Sequence, residues 1–337
     1  MSEAHCFLSE DLDPGKHFFR LPVTTILSGP LSLGLHVVVG TRPGPTLGVT
    51  GCVHGDETVT VFGLKKWLDS LKIEELAGRV AVIPAANPTA IQLFNRQTPE
   101  QHGNTDLHTV FPGNPEKGNL TSKLAVTICR QLLDHVDAYV DIHSGSAARL
   151  QNRSDFHNDL AEPLRQQCID LCRAFGAPFI HANNLAKTAS SYAHTRGVPT
   201  CNPEVGGAYL CQSDTDFAVD RMVCGLNNIM AHLGMTPEKH EQTAPRQALF
   251  DFAHRVEVNP RRGGYLNSFF ADPSCLGKEV KQGTILGEII DIQTLEPAEQ
   301  LVAPVDGWLF FTRYSGVVDA GTKSYALAMS RHITWLE

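Results

Sequence analysis

From residue 45 to about residue 235, apolar runs of strand length alternate with longer stretches whose apolar residues recur at helical spacing. Residues 45–51 read as a buried strand, and 57–71 as a helix collecting Val61, Leu64, Trp67 and Leu68 on one face. A second apolar strand is predicted at 79–86. After a long loop come a helix at 122–133 and a strand at 137–142 that stops at His143. A helix at 161–175, a short strand at 178–181, a strand at 198–202 and a helix at 215–233 continue the alternation. Strands this apolar, separated by helices, imply an α/β fold with a mostly parallel or mixed sheet covered on both faces.

The pattern changes at 236–245, a polar segment bracketed by prolines that reads as a linker. Beyond it, short alternating strands punctuated by glycine at 250–258, 263–270, 279–290 and 302–309 predict a small all-β module. The expected organisation is a catalytic α/β domain at 1–243 followed by a C-terminal β domain at 246–337.

Composition removes several classes of partner. With 28 basic and 36 acidic side chains the formal charge is −8, and there is no basic run. Nucleic acid and anionic membrane surfaces are therefore not expected partners. No apolar stretch reaches the ~18 residues a membrane helix needs, and the first residues lack a basic-then-apolar leader, so a soluble, cytoplasmic protein is expected. Nine cysteines without a Cys-x-x-Cys pair are read as reduced and mostly buried.

Candidate chemistry gathers at the carboxyl ends of the predicted strands, where open α/β sheets bind ligands. In Gly51-Cys52-Val53-His54-Gly55-Asp56-Glu57, an imidazole and a carboxylate three residues apart across a strand-to-helix turn can aim at one point. Asp141-Ile142-His143-Ser144-Gly145 brings a second histidine to the end of another strand. Two histidines and one glutamate form a catalytic zinc set that leaves a fourth position open to water. Asp141 shares a strand face with His143 and can support an imidazole N–H, although period-two alternation alone does not decide which histidine it serves. Glu204, in Asn202-Pro203-Glu204-Val205-Gly206-Gly207, is a carboxylate suited to general base and acid work. Arg96, in Phe94-Asn95-Arg96, is a loop cation able to stabilise an oxyanion. One histidine among fifteen is ordinarily a surface or hydrogen-bonded residue. The argument rests on several strand ends carrying compatible groups.

Residues 51–57, 87–113, 141–145 and 203–206 resemble the succinylglutamate desuccinylase/aspartoacylase family, a branch of the zinc-carboxypeptidase-like hydrolases. The resemblance implies a three-layer α/β/α domain with a mixed sheet. It also implies one zinc ion per chain held by His54, Glu57 and His143, with Glu204 as general base and Arg96 polarising the substrate carbonyl. The tail, around 280–289 and 303–307, is similar to the small barrel-sandwich β domain appended in bacterial members. It resembles biotinyl and lipoyl carriers too, but has neither a Met-Lys-Met nor an Asp-Lys-Ala attachment sequence.

One departure bears on specificity. Where the family has Asp-Leu-Asn-Arg before Phe-Pro-Gly, this chain has Asp106-Leu107-His108-Thr109-Val110 before Phe111-Pro112-Gly113. A bidentate arginine clamp on a carboxylate is not replaceable by threonine. Either His108 and Thr109 line a pocket for a group without a carboxylate, or another cation such as Arg149 or Arg153 grips it. The expected function is zinc-dependent cleavage of the amide of a small N-acyl amino acid or related N-acyl amine, with poor activity on N-acetylaspartate and N-succinylglutamate. A zinc carboxypeptidase and a non-catalytic metal-binding regulatory module are the alternatives. Assembly into a homo-oligomer is left open, and the β domain is expected to border the mouth of the site.

Overall fold

The structure, a computed structural model, describes residues 6–146, 148–208, 210–237 and 246–337. The expected domain boundary between 243 and 246 therefore adjoins or falls among residues 238–245, outside the described residues. In chain order the first part runs β1 Gly15–Ile26, β2 Gly29–Val39, β3 Arg42–Thr50, α1 Val59–Ser70, β4 Ala77–Ile83, α2 Pro88–Gln92, α3 Leu120–Gln131 and β5 Ala138–Asp141. It continues with β6 Arg149–His157, α4 Leu164–Phe175, β7 Phe179–Asn183, α5 Ala189–Thr195, β8 Thr200–Gly206 and α6 Gln212–His232.

The sheet runs β1-β2-β4-β3-β5-β8-β6. Strands β4, β3, β5 and β8 are mutually parallel, while β1, β2 and β6 pair antiparallel with their neighbours, so the sheet is mixed. On one face α1, α4 and α6 pack around Trp67, Phe175 and Met222; on the other α3 and α5 cover Leu124, Ile128 and Tyr139. This is the three-layer architecture the alternation implied.

The second part contains β9 Gln247–Asp251, β10 Arg255–Val258, β11 Gly264–Ser268, β12 Glu279–Val280, β13 Ile285–Ile290, β14 Pro297–Val302, β15 Gly307–Arg313, β16 Gly316–Val318, β17 Tyr325–Met329 and β18 Thr334–Leu336. Strands β11, β13, β14 and β16 form a separate four-stranded sheet whose core includes Leu266, Leu286, Ile289 and Leu301. The remaining strands extend the main sheet: β15 pairs with β6, β9 pairs with β7, and Phe179, Phe250, Phe310 and Phe311 pack across that junction.

Several local features depart from the sequence reading, among them the predicted strand at 302–309, which spans the turn between β14 and β15. The hairpin β1–β2 precedes the first predicted strand, and the short helix α5 was not predicted. The predicted strand at 250–258 is split by the turn Phe252–His254 into β9 and β10. Most consequential is β6, Arg-Leu-Gln-Asn-Arg-Ser-Asp-Phe-His, buried along most of its length yet polar. Its charged side chains pair with one another and with neighbouring strands, so it carries no apolar signature.

Candidate active site

The loop from Gly51 to Thr58, between β3 and α1, carries His54 and Glu57. It is pressed against the turn after α2: the Gly55 N–H donates to the Asn95 carbonyl at 2.9 Å, and a Cβ at Gly55 would sit 2.1 Å from the Ala90 carbonyl carbon. Only glycine allows that approach, and it seats Arg96 beside His54.

His143 follows β5 and is bridged to β8. Its N–H donates to the Pro203 carbonyl at 2.8 Å and its carbonyl accepts from the Val205 N–H at 3.0 Å, placing His143 opposite Glu204. On the other side of β8, Arg153 of β6 stands opposite Glu204. His143, Glu204 and Arg153 thus form one row across three strands, and Glu204 lies inside β8 rather than past its end.

The Nδ1 of His54 lies 2.8 Å from Glu57 Oε1, and the Nδ1 of His143 lies 3.0 Å from Glu57 Oε2. The two Nδ1 atoms are 3.2 Å apart. All three residues are buried, and the Ser144 N–H donates to Glu57 Oε2 at 3.2 Å. Burial opposes ionisation of Glu57, but the His54 and His143 imidazoles hold its carboxyl well below the usual carboxylate range. Two imidazole nitrogens and a carboxylate facing one point in a buried site match a metal donor set. Ligand atoms around a tetrahedral ion with bonds of about 2.0–2.1 Å stand roughly 3.3 Å apart, close to the separations here.

The outward nitrogen of each histidine meets its own carboxylate. Asp141 Oδ2 lies 3.3 Å from His143 Nε2, and its Oδ1 accepts from the Thr50 hydroxyl at 2.6 Å, so Asp141 faces His143. Asp106 Oδ1 lies 3.2 Å from His54 Nε2 and also accepts from the His108 N–H at 2.9 Å; its Oδ2 accepts from Arg96 Nε at 2.9 Å. The sequence reading gave Asp106 no role, and the only local signal was its position capping the turn Leu107–Thr109. Burial works against Asp106 ionising, but His54 and Arg96 hold its carboxyl low.

Glu204 Oε2 accepts from Gln151 Nε2 at 2.8 Å, and Oε1 is 3.4 Å from Arg153 Nη2. Burial pushes its carboxyl up, partly countered by Arg153 and His143. A cavity of about 730 Å³ opens over these groups, lined by His54, Arg96, His143 and Glu204 and also by Asp251, Phe252 and Arg255. The chain beyond the linker thus supplies part of the wall.

The residues weighed for specificity separate. His108 lines the cavity, packs edge-on to His143 with ring centroids 4.8 Å apart, and burial with His143 nearby lowers its pKa to about 3, keeping it neutral. Together with Asp141 and His143 it forms a second group of metal-capable side chains that shares His143 with the first. Arg153 lines the cavity. Thr109 and Arg149 are not among the described residues lining it: Thr109 donates to the Asp106 carbonyl at 2.9 Å, and Arg149 lies 3.3 Å from the Ser146 hydroxyl. Among the described residues no helix is long and apolar enough to cross a membrane.

Comparison with known proteins identifies the family and the fold. The sequence pattern of the succinylglutamate desuccinylase/aspartoacylase catalytic domain matches residues 43–233. The N-alpha-acetyl-L-2,4-diaminobutyric acid deacetylase of Halomonas elongata is 28% identical over 320 residues, covering 90% of this chain and 88% of its own. The crystal structure of a succinylglutamate desuccinylase/aspartoacylase from Rhodobacter sphaeroides is 26% identical, with a TM-score of 0.79 over 98% of this chain and 99% of that one. The product-bound ectoine utilization protein EutE (DoeB) of Ruegeria pomeroyi has the same fold, with a TM-score of 0.79 at 24% identity over 96% of this chain and 98% of that one.

Proposed function

The chain belongs to the succinylglutamate desuccinylase/aspartoacylase family, and on that premise we propose that it is a zinc-dependent deacylase of small N-acyl amino acids. The products are a carboxylate and a free amine, and the acyl group is short, as in the N-acetyl substrate named for the Halomonas relative. The observation that carries this reading is the convergence of His54, Glu57 and His143 beside Glu204 in one cavity.

His54, Glu57 and His143 would hold one zinc ion. Zinc bound there supplies a Lewis acid that polarises the scissile carbonyl and favours ionisation of water. Glu204 takes a proton from the attacking water and returns it to the departing nitrogen; a carboxyl raised by burial suits both steps. Gln151 and Arg153 hold its two oxygens, so the carboxylate presents a fixed orientation. Arg96, steadied by Asp106, directs its remaining donors to the carbonyl oxygen as charge develops.

Glu204→Gln should keep zinc content and melting temperature while hydrolysis of N-acetyl amino acids falls by about 10²–10⁴-fold. Elemental analysis and an amine-release assay check this. Near-normal turnover in that variant would assign the proton transfer to another group.

A further inference from the structure

The cavity contains a cation whose donors the catalytic arrangement leaves unspent. Among the described residues three arginines line it: Arg96, Arg153 and Arg255. Arg96 is bound to Asp106 beside the reacting end. Arg153 is fully engaged in the sheet. Its Nε donates to Asp155 Oδ1 at 2.7 Å and its Nη2 to Asp155 Oδ2 at 3.3 Å, its Nη1 donates to Gln151 Oε1, and Nη2 stands 3.4 Å from Glu204. Turning Arg153 toward a ligand would strip two carboxylates of their partner.

Arg255 opens β10 and differs in kind. Among the described residues its ion pair is Nη2 to Glu257 Oε1 at 3.1 Å, and its guanidinium lies over the Phe252 ring, 3.7 Å from the centroid. A guanidinium has five N–H donors in a planar fork, so most of this fork remains available. Stacking on Phe252 fixes its plane at the cavity wall, and its side chain is only 22% exposed, which limits competition from water.

We propose that Arg255 anchors the carboxylate of the substrate's amino-acid half, doing from the C-terminal part of the chain what an Asn-Arg pair at 108–109 would do from the loop. The inference rests on the deacylase reading above. In this arrangement the acyl carbonyl lies beside His54 and His143 and the α-carboxylate beside Phe252. The cavity that holds both, about 730 Å³, is within the usual range for a small-molecule site.

The test compares two probes on the zinc-loaded full chain: N-α-acetyl-L-2,4-diaminobutyrate and N-acetyl-1,3-diaminopropane, the same molecule without its carboxylate. The wild type should prefer the carboxylate probe in kcat/KM by roughly ten- to hundredfold, as expected for a charge-assisted pair. Arg255→Met should compress that ratio to within about threefold, through KM rather than kcat. Lys323 stands 3.4 Å from Glu257, so Glu257 keeps a cation in the variant. Arg255→Lys, which keeps the charge and loses the fork, should give an intermediate ratio and serves if Arg255→Met fails to fold. Calorimetric titration of both probes into Glu204→Gln protein, with and without the Arg255 substitution, reads the same contrast without turnover. A carboxylate preference unaltered in the Arg255 variants, or absent from the wild type, overturns the anchor while leaving deacylation standing. An Arg255-dependent binding contrast without hydrolysis of either probe upholds the anchor and overturns the deacylase reading.

Discussion

At the scale of single residues, what the sequence revealed depends on how far a side chain reaches for its partner. The convergence of His54, Glu57, His143, Glu204 and Arg96 was legible because each sits at a recognisable strand end or loop motif. The places of Asp106, Gln151 and Arg255 were not, because they are set by contacts with residues distant in sequence: Asp106 with His54, Gln151 with Glu204, Arg255 with the cavity. Asp106 joins His54 to Arg96 through one carboxylate, and removing its charge should loosen both. Asp106→Asn keeps the capping oxygen for the His108 N–H but loses the charge facing His54 and Arg96. We expect zinc affinity to fall about 10–100-fold, the range for partners of metal ligands, measured by retention against a chelator. Unchanged retention would confine Asp106 to holding Arg96.

At the scale of elements, the buried parallel strands were readable and the polar one was not. Strands β3, β4 and β5 announce themselves by apolar runs, whereas β6 is held by ion pairs and by hydrogen bonding to β8 and β7 that no local pattern encodes. The contact between the Gly51–Thr58 loop and α2 also escapes the sequence, since Gly55 there reads only as part of a motif. Its replacement tests how tightly those two elements are fitted. In Gly55→Ala the added methyl meets α2 backbone rather than a yielding side chain. Overpacking of this kind costs about 1–3 kcal/mol. The expected result is a lower melting temperature together with reduced hydrolysis, because α2 carries the Arg96 turn with it. A variant with an unchanged melting point would mean that α2 moves freely.

At the scale of the whole molecule, the sequence suggested an appendage and the topology describes a continuous sheet. The polar segment at 236–245 and the change of pattern after it argue for two parts, and β11, β13, β14 and β16 form a sheet of their own. Yet β15 lies against β6 and β9 against β7, and Asp251, Phe252, Ala253 and Arg255 line the cavity that His54, His143 and Glu204 also line. A chain ending at residue 237 should therefore lose more than a gate. It would expose Phe179 and the outer edges of β6 and β7, and we expect it to aggregate or to lack hydrolysis. Sedimentation and an activity assay on the truncated chain decide the point. A monodisperse fragment with full activity would make the C-terminal part dispensable.

The pairing of β6 with β15 also bears on how the protein is made. The strand that presents Arg153 to Glu204 leaves the ribosome about 150 residues before the strand that covers its outer end. At ~5–20 residues per second, that is on the order of ten seconds or more. Throughout that interval the nascent chain carries an open, hydrogen-bonding margin that other nascent chains can invade. Slowed translation between residues 157 and 307 should lower the yield of folded enzyme, and chaperone capture in that window should raise it.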